Sequence, residues 1–319
     1  MENVNKNRMV DVSVIIVNYN GIDLLRGCLS SLEKFTSNLN YEVIVVDNNS
    51  TDGDIAEIVN NYQNACLIKN SKNLGYAVAN NIGAERAEGK YLLILNNDII
   101  FIENSIKKVF DFVENKSGEV VVGCRLLNKD KSNQVSISAF PTVLNTLTEN
   151  IFIYKLFPKS KLLNKYYLNY LDIKDTSEVD VVKGAFMFCT KKNYFDLDGF
   201  DERFYFYSEE TDFCYRFKKG KGEILFYPFT SIIHLGGATT SADLWFKYKN
   251  QCIAKIQLYQ KHFKGIKFLI AVLSHYLGLL LRSFFYLIGG VISVKKSLIV
   301  KSYYFCRQFF VYPKNVFPS

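Results

Sequence analysis

The chain has 319 residues, enough for one large α/β domain with an appendage or for two modest domains. Its seven cysteines are odd in number and scattered with no CxxC pair, which excludes a disulfide framework and points to reduced, mostly buried thiols of a cytosolic setting. The net charge of +8 is uneven: through Asp243 there are 27 basic against 31 acidic residues, and beyond it twelve Lys or Arg with no acid at all. These basic residues flank the most apolar stretch of the chain, Phe268 to Val294, so the charge favours an anionic membrane surface over nucleic acid. The polar, Asn-rich start, Met1 to Arg8, reads as lacking the apolar segment of a secretory signal.

In chain order, Val12 to Val17 is a β-branched apolar run that reads as a buried strand, stopped by Asn18-Tyr19-Asn20-Gly21. Ile22 to Phe35 places Leu24, Leu25, Cys28, Leu29, Leu32 and Phe35 at helical spacing. Glu42 to Val46 is a second strand, ending at Asp47-Asn48-Asn49-Ser50, and Asp52 can cap a helix running to about Tyr62. Cys66 to Lys69 reads as a strand, Asn73-Leu74-Gly75 as a turn, and Tyr76 to Ala87 as a helix. Tyr91 to Leu95 is the next strand, followed by a helix over Ser105 to Glu114 and a strand over Val120 to Cys124. Leu127 to Val179 carries little pattern and reads as loops and short helices, with a basic, aromatic stretch at Tyr154 to Tyr170. Gly184 to Cys189 is again an apolar strand.

Strands alternating with helices predict an open, mostly parallel sheet flanked by helices, in which ligands bind outside the carboxyl ends of the strands. Polar clusters stand at those ends: Asn18 to Asn20, Asp47 to Ser50 and Asn96 to Asp98. Asn and Asp are ordinary turn residues, but three such clusters at successive strand ends point to a cleft. The segment YSEETDF, Tyr207 to Phe213, holds three acids in four residues. Acids crowded together repel one another, which raises a pKa and can poise a general base.

The motifs SVIIVNYN (Ser13 to Asn20), VIVVDNNSTDG (Val43 to Gly53), NLGYAVANNIG (Asn73 to Gly83) and LLILNNDI (Leu92 to Ile99) occur in that order. They are followed by Lys183 to Gly222, beginning KGAFMFC and containing DGFDERFYFYSEETDF, and by HLGG, His234 to Gly237. Each motif is weak alone, but the ordered set resembles family 2 glycosyltransferases of the GT-A (Rossmann-like) fold, in the rhamnosyltransferase-like branch that builds bacterial surface polysaccharides. The resemblance covers roughly residues 11–237.

It implies an inverting transferase that takes a nucleotide-activated sugar and a Mg²⁺ or Mn²⁺ ion. Asp98 matches the last acid of the family's DXD motif, whose first acid is here Asn96, and His234 aligns with a metal-binding histidine of some relatives. One carboxylate holds a divalent ion weakly, so a second ligand is expected. By position Glu210 is the base, although Glu stands where Asp is usual, which leaves Glu209 and Glu210 both open; Asp212 would orient neighbours or cap a helix. The resemblance assigns Asn18, Tyr19, Asp47, Asn73, Gly75, Asn81 and Asn97 to the nucleotide-sugar. Relatives extend a glycan on a polyprenyl diphosphate at the cytoplasmic face of the inner membrane, which makes such a lipid-linked glycan the expected acceptor.

No GxGxxG or P-loop is present, against a dehydrogenase or kinase on the same sheet. A nucleotidyltransferase would carry a Gly-rich, basic signature that Ser13 to Gly21 lacks. A catalytically weak sugar-nucleotide-binding membrane scaffold is the non-enzyme alternative; the retained Asp98 and acidic segment count against it. The expected division is a GT-A domain over 1–240, with a nucleotide-sugar half at 11–125 and an acceptor half at 126–240, and a basic, apolar helical extension over 241–319. In the extension, Leu244 to Phe263 reads as an amphipathic helix. Phe268 to Leu281 and Ser283 to Val294 are charge-free halves separated by Arg282, each short of the ~20 residues of a span. As one helix they would place Arg282 near the bilayer centre at a cost of roughly 2.5–3.5 kcal/mol. The favoured reading is interfacial or re-entrant helices on the membrane, ahead of an oligomer (homodimer) interface and a true span.

Overall fold

A computed structural model describes residues 9–157, 159–160, 163, 173–236 and 244–311. Gly237 of the HLGG motif, the start at Met1 to Arg8 and most of the stretch from Tyr154 to Tyr170 lie outside these described residues. The chain packs as two units. The first comprises Met1–Ser138, Ile173–Tyr205 and Glu209–Thr239; the second comprises Ala139–Asp172, Phe206–Ser208 and Thr240–Ser319. Among the described residues of the expected acceptor half, 139–157 fall in the second unit and 126–138 in the first.

The first unit begins with β1 (Val12–Asn18), α1 (Ile22–Phe35), β2 (Tyr41–Asp47), α2 (Ile55–Val59), β3 (Ala65–Lys69), α3 (Tyr76–Arg86) and β4 (Tyr91–Asn96). It continues with β5 (Ile99–Phe101), α4 (Ser105–Glu114), β6 (Val120–Leu127) and β7 (Ile137–Ser138). In the second unit lie α5 (Val143–Asn150) and α6 (Ile153–Leu156). The chain returns to the first unit for β8 (Ser177–Glu178), β9 (Val181–Val182), β10 (Phe186–Thr190), α7 (Lys191–Phe195), α8 (Glu209–Lys219) and β11 (Glu223–His234). It ends in the second with α9 (Leu244–His262), α10 (Ile266–Ile292) and α11 (Lys296–Gln308).

The main sheet has the order β3-β2-β1-β4-β10-β6-β11-β5, with β8 beside β11; β7 and β9 pair separately. Pairing is parallel from β3 to β4 and between β6 and β11, and antiparallel around β10 and at β5, so the sheet is mixed beyond its nucleotide half. Every residue of β1 is buried, as expected of a parallel strand covered on both faces. The strand order reverses between β1 and β4, and in open α/β sheets the ligand crevice opens at that switch. Asn18 ends β1, Asp47 ends β2 and Asn96 ends β4, so the three polar clusters share one edge of the sheet.

Several local expectations are corrected. The helix after β2 is capped by Asp54, whose carboxylate accepts from Ala56 N, and spans only Ile55–Val59. Asp52 instead accepts from Ile22 N at 2.9 Å, tying the β2 loop to the start of α1. The strand expected from Gly184 starts at Phe186 and runs to Thr190. Asp212 sits inside the first turn of α8, fully buried, and pairs with Arg216 at 2.7 Å. Arg216 also donates to the carbonyls of Leu197 and Gly199, so through this pair Asp212 orients the Asp198-Gly199 turn, the first of the two roles expected for it.

In the second unit the two charge-free halves are one 27-residue helix, α10, running through Arg282 and the Gly289-Gly290 pair. Among the described residues it is the one helix long and apolar enough to cross a membrane by length and composition. Arg282 does not break it because its charge is satisfied sideways. Its guanidinium donates to the carbonyls of Asn150 and Glu149 at 3.2 and 3.4 Å, at the end of α5, and stacks on Phe152. Gly278 permits that approach, since a Cβ there would lie 2.6 Å from the Asn150 carbonyl oxygen. Ser274 accepts from the Asn150 amide on the same face. The opposite face is apolar and exposed along Leu269, Leu273, Leu277, Leu280, Phe284, Leu287 and Val291.

Candidate active site

Asn18, Asp47 and Asn97 form one buried cluster. The Asn18 amide nitrogen donates to Asp47 Oδ1 at 3.3 Å and to Ser50 Oγ at 3.1 Å, and its oxygen accepts from Asn97 at 2.8 Å. Ser50 N donates to Asp47 Oδ2 at 3.1 Å. Parallel register explains the meeting: Asn18 is opposite Asp47, and Val17 is opposite Asn96. Tyr19, next in the chain, is exposed.

Gly75 follows a turn in which the Asn73 side chain accepts from Gly75 N at 3.0 Å. Gly75 takes φ +89°, and a Cβ on it would lie 2.5 Å from the Tyr205 carbonyl oxygen, so only glycine fits this approach. Asn48 fastens the same point by donating to the Gly75 carbonyl at 3.1 Å. Asn73 and Gly75 thus shape the loop ahead of α3 beside the strand ends. Asn81, expected at the nucleotide, is spent elsewhere: its oxygen accepts from Tyr194 Oη and Phe200 N, and its nitrogen donates to the Phe200 carbonyl. It anchors the Gly199-Phe200 turn against α3 and is not brought to the Asn18 cluster.

Asp98 and His234 meet because β11 runs antiparallel to β5 with His234 opposite Ile99. Leu235 N donates to the Asp98 carbonyl at 3.0 Å, which fixes the junction. His234 Nε2 lies 3.3 Å from Asp98 Oδ1, and Asp98 is buried. The same nitrogen is 3.3 Å from the Asn96 amide nitrogen, and Nδ1 is 2.6 Å from Gln134 Oε1. Among the described residues no group of three or more His, Cys, Asp or Glu could hold a metal. Asp98 and His234 are two adjacent groups that could hold a divalent ion, with its remaining positions left to substrate phosphate and water.

Glu209 and Glu210 open α8, with Glu209 buried and Glu210 3.9 Å from Lys183 Nζ. Lys183 also donates to Ser138 Oγ at 3.2 Å. Gly184 packs against the glutamate: a Cβ on it would lie 3.5 Å from Glu210 Cβ, an ordinary contact. The residue that connects these groups is Tyr76, which the motif reading passed over. Its hydroxyl donates to Asn96 Oδ1 at 2.8 Å and lies 3.3 Å from the Gly184 carbonyl oxygen. Burial, and then the negative charges of Glu209, Glu210 and Asp98, hold that hydroxyl well above the usual tyrosine range. One buried phenol thus feels both acidic groups, and it stays a neutral donor at any working pH. The signal in the sequence was its place directly after Gly75, where the chain re-enters the crevice. Gln134 was missed for a different reason: it lies in the poorly patterned stretch after Leu127.

All seven cysteines are unpaired thiols; five are buried, and Cys66 and Cys306 are exposed. None lies in the groups above, apart from a contact of Cys28 Sγ with the Asn96 carbonyl.

Comparison with known proteins agrees with this geometry. The model of glycosyl transferase family 2 matches residues 13–191. GlyG, a glycosyltransferase of Streptococcus pneumoniae serotype 4, is 34% identical over 38% of this chain and 41% of its own length. The chain therefore spans under half of that relative, and 28% of an uncharacterized glycosyltransferase of Rickettsia conorii. The rhamnosyltransferase WbbL of Escherichia coli K12 is 25% identical over 70% of this chain and 83% of its own. The N-acetylglucosaminyl-diphospho-decaprenol L-rhamnosyltransferase of Mycobacterium tuberculosis is 24% identical over 74% and 80%. Among solved structures, GalNAc-T7 with UDP, GalNAc and Mn²⁺ superposes with a TM-score of 0.53 at 16% identity, over 72% of this chain and 44% of that one. Staphylococcus aureus TarS 1-349 gives 0.51 at 16% identity, over 94% and 80%. The fold is thus the GT-A arrangement expected from the sequence. The family match covers more than half of the chain and takes in every strand-end cluster from Asn18 to Asp98, so the protein belongs to glycosyltransferase family 2.

Proposed function

We propose that the protein is a metal-dependent inverting glycosyltransferase acting on a lipid-linked or growing surface glycan. The first candidate donor is dTDP-rhamnose. The observation that carries this reading is the chain of contacts from Asp98 to His234 at 3.3 Å, from His234 to Asn96, and from Asn96 to the buried hydroxyl of Tyr76, which lies 3.3 Å from the carbonyl of Gly184, the residue packed against Glu210. Transfer with inversion needs a charge sink for the departing diphosphate on one side of the sugar and a base for the acceptor hydroxyl on the other.

In this scheme Glu210 takes the acceptor proton. Its neighbour Lys183, at 3.9 Å, helps to aim it. Glu209, more deeply buried, is the alternative base. The Asn18–Asp47–Asn97 cluster and the Gly75 loop hold the nucleoside, with Asp47 and Asn18 offering polar edges to the base and exposed Tyr19 a ring to cover it. A Mg²⁺ or Mn²⁺ ion would be held by Asp98 and His234, and when bound it neutralises charge developing on the leaving diphosphate. The imidazole in this pair favours Mn²⁺, since Mg²⁺ prefers oxygen ligands throughout. The names of the E. coli and M. tuberculosis relatives support rhamnose, and the latter supports a polyprenyl-diphosphate acceptor.

The second unit supplies attachment to the cytoplasmic face of the bacterial inner membrane. The exposed apolar stripe of α10 lies in the interface, and Lys264, Lys267, Lys295 and Lys296, at either end of the helix, meet anionic headgroups. Arg282 points to α5 and leaves the stripe uncharged. A homodimer through the same stripe is the competing arrangement. The test of the function is a donor panel: thermal unfolding of the full chain with UDP-, dTDP- and GDP-sugars, with and without Mn²⁺. The expected result is stabilisation by dTDP-rhamnose that requires Mn²⁺, since a ligand bound by the native state alone raises stability. No stabilisation by any sugar nucleotide contradicts the proposal.

A further inference from the structure

We propose that Gln134 is a positioning residue that presets the tautomer of His234 and so keeps the gap between Asp98 and His234 open to a divalent cation; this rests on the metal reading above and deepens it. The Gln134 amide nitrogen donates to Asn128 Oδ1 at 3.0 Å and to the His234 carbonyl at 3.1 Å. A primary amide has two N–H donors, and both are used. The group that faces His234 Nδ1 at 2.6 Å is therefore the amide oxygen, which only accepts. A ring nitrogen held against an acceptor carries the proton, so neutral His234 is protonated on Nδ1 and bears its lone pair on Nε2.

A second amide, oriented by the shorter of the two Tyr76 hydroxyl contacts, supports the same result. Asn96 Oδ1 accepts from the Tyr76 hydroxyl at 2.8 Å, which turns the Asn96 NH₂ toward His234 Nε2 at 3.3 Å. A donor placed there requires a lone pair on Nε2. That lone pair stands 3.3 Å from Asp98 Oδ1, so two electron-rich atoms face one another across a gap suited to a cation. The Asn96 bond is long and is the one a cation displaces. The Gln134 bond is short and remains.

Without Gln134, the ring proton can move to Nε2 and be donated to Asp98. The two groups would then satisfy each other and close the gap. Asn96, standing where the family motif has an acid, serves the same end: an aspartate there would attract a proton to Nε2. Partners that orient a metal-binding histidine through its second nitrogen are typically worth 10–100-fold in metal affinity or activity.

The test uses the full chain in detergent, labelled with ¹⁵N-histidine, at a pH where imidazole is neutral. The chain has three histidines, so His234 is assigned by its loss in His234→Gln. Long-range ¹H–¹⁵N spectra of the metal-free wild type are expected to show His234 protonated on Nδ1. Gln134→Leu is expected to shift the ring to the Nε2–H form and to weaken Mn²⁺ binding, read by electron paramagnetic resonance with Mn²⁺ alone, by about 10–100-fold. Gln134→Glu, which keeps an acceptor opposite Nδ1, is expected to keep the tautomer and most of the affinity. An Nε2–H wild type overturns the proposal by itself, whether or not Gln134→Leu folds. Mn²⁺ binding that is lost in Asp98→Ala yet unchanged in Gln134→Leu overturns it and leaves the metal reading intact. Failure of the wild type to bind Mn²⁺ defeats the metal reading, and this proposal with it.

Discussion

The two units bury polar groups for opposite reasons. In the sheet unit, Asn18, Asp47 and Asn97 are buried at strand ends and linked to one another, and Asp98 is buried next to Asn97 and faces His234. In the helical unit, Arg282, Ser274 and Lys255 are turned inward against the end of α5, where Asn150 and Glu149 meet their hydrogen-bonding capacity. The sheet unit gathers polarity where a ligand can use it; the helical unit hides polarity so that an apolar face stays outside. A buried polar residue is therefore informative only together with what its partners do. Bonds among strand-end side chains that a substrate can exchange mark a site, whereas bonds to helix-terminal carbonyls mark a closed interior.

The largest effect expected from breaking this contrast is at Asp98. Asp98→Ala removes the carboxylate that faces His234 while leaving the strand pairing intact. Metal assistance to a leaving group is worth several kcal/mol, so transfer should fall by roughly 10³-fold and lose its response to added Mn²⁺. Steady-state transfer with and without excess chelator checks this: wild-type turnover that persists in chelator removes the metal from the account. A smaller effect is expected in the helical unit. Replacing Lys295 and Lys296 with Gln should weaken binding to anionic vesicles by about fivefold per lysine, since each basic residue near such a surface contributes ≈ 1 kcal/mol. Transfer to a soluble acceptor analogue should not change. Vesicle sedimentation at low and high salt measures it; no binding to vesicles by the wild type at either salt, with the chain sedimenting as a dimer, would assign the apolar stripe to a homodimer seam.

The contrast also explains which features were legible in the sequence. The strands and helices of the nucleotide half were, because a β-branched run or a helical repeat is a local signal: α1 and α4 run between the expected residues. Asp98 and Glu209-Glu210 became candidates because acids next to apolar runs stand out and the motif order gave them a place, and the structure puts Asp98 at a strand end beside His234 and both glutamates at the start of α8. The partners of Asn81 could not be read locally, because its amide bonds to Tyr194 and Phe200, more than a hundred residues away. The choice between Asp52 and Asp54 as helix cap was closed to local reading for a similar reason, since the partner of Asp52 is Ile22 N on another element. The continuity of α10 hung on Arg282, whose partners lie on α5. Gln134 and Tyr76 act through bonds to side chains that no spacing rule connects.

The central claim is that the acidic opening of α8 does chemistry at the crevice that Asp98 and His234 share. The most direct test is the transfer rate of Glu210→Gln measured beside its donor dissociation constant, with Glu209→Gln as the companion. Glutamine keeps the shape and cannot accept the proton. The account predicts a fall in transfer of about 10²–10⁴-fold for Glu210→Gln, the usual contribution of a general base. Donor affinity should stay near wild type, and the loss in Glu209→Gln should be smaller. A large loss in Glu209→Gln with Glu210→Gln near wild type would move the base by one residue. Transfer near wild type in both variants would contradict the claim and leave the acids of α8 as structure alone.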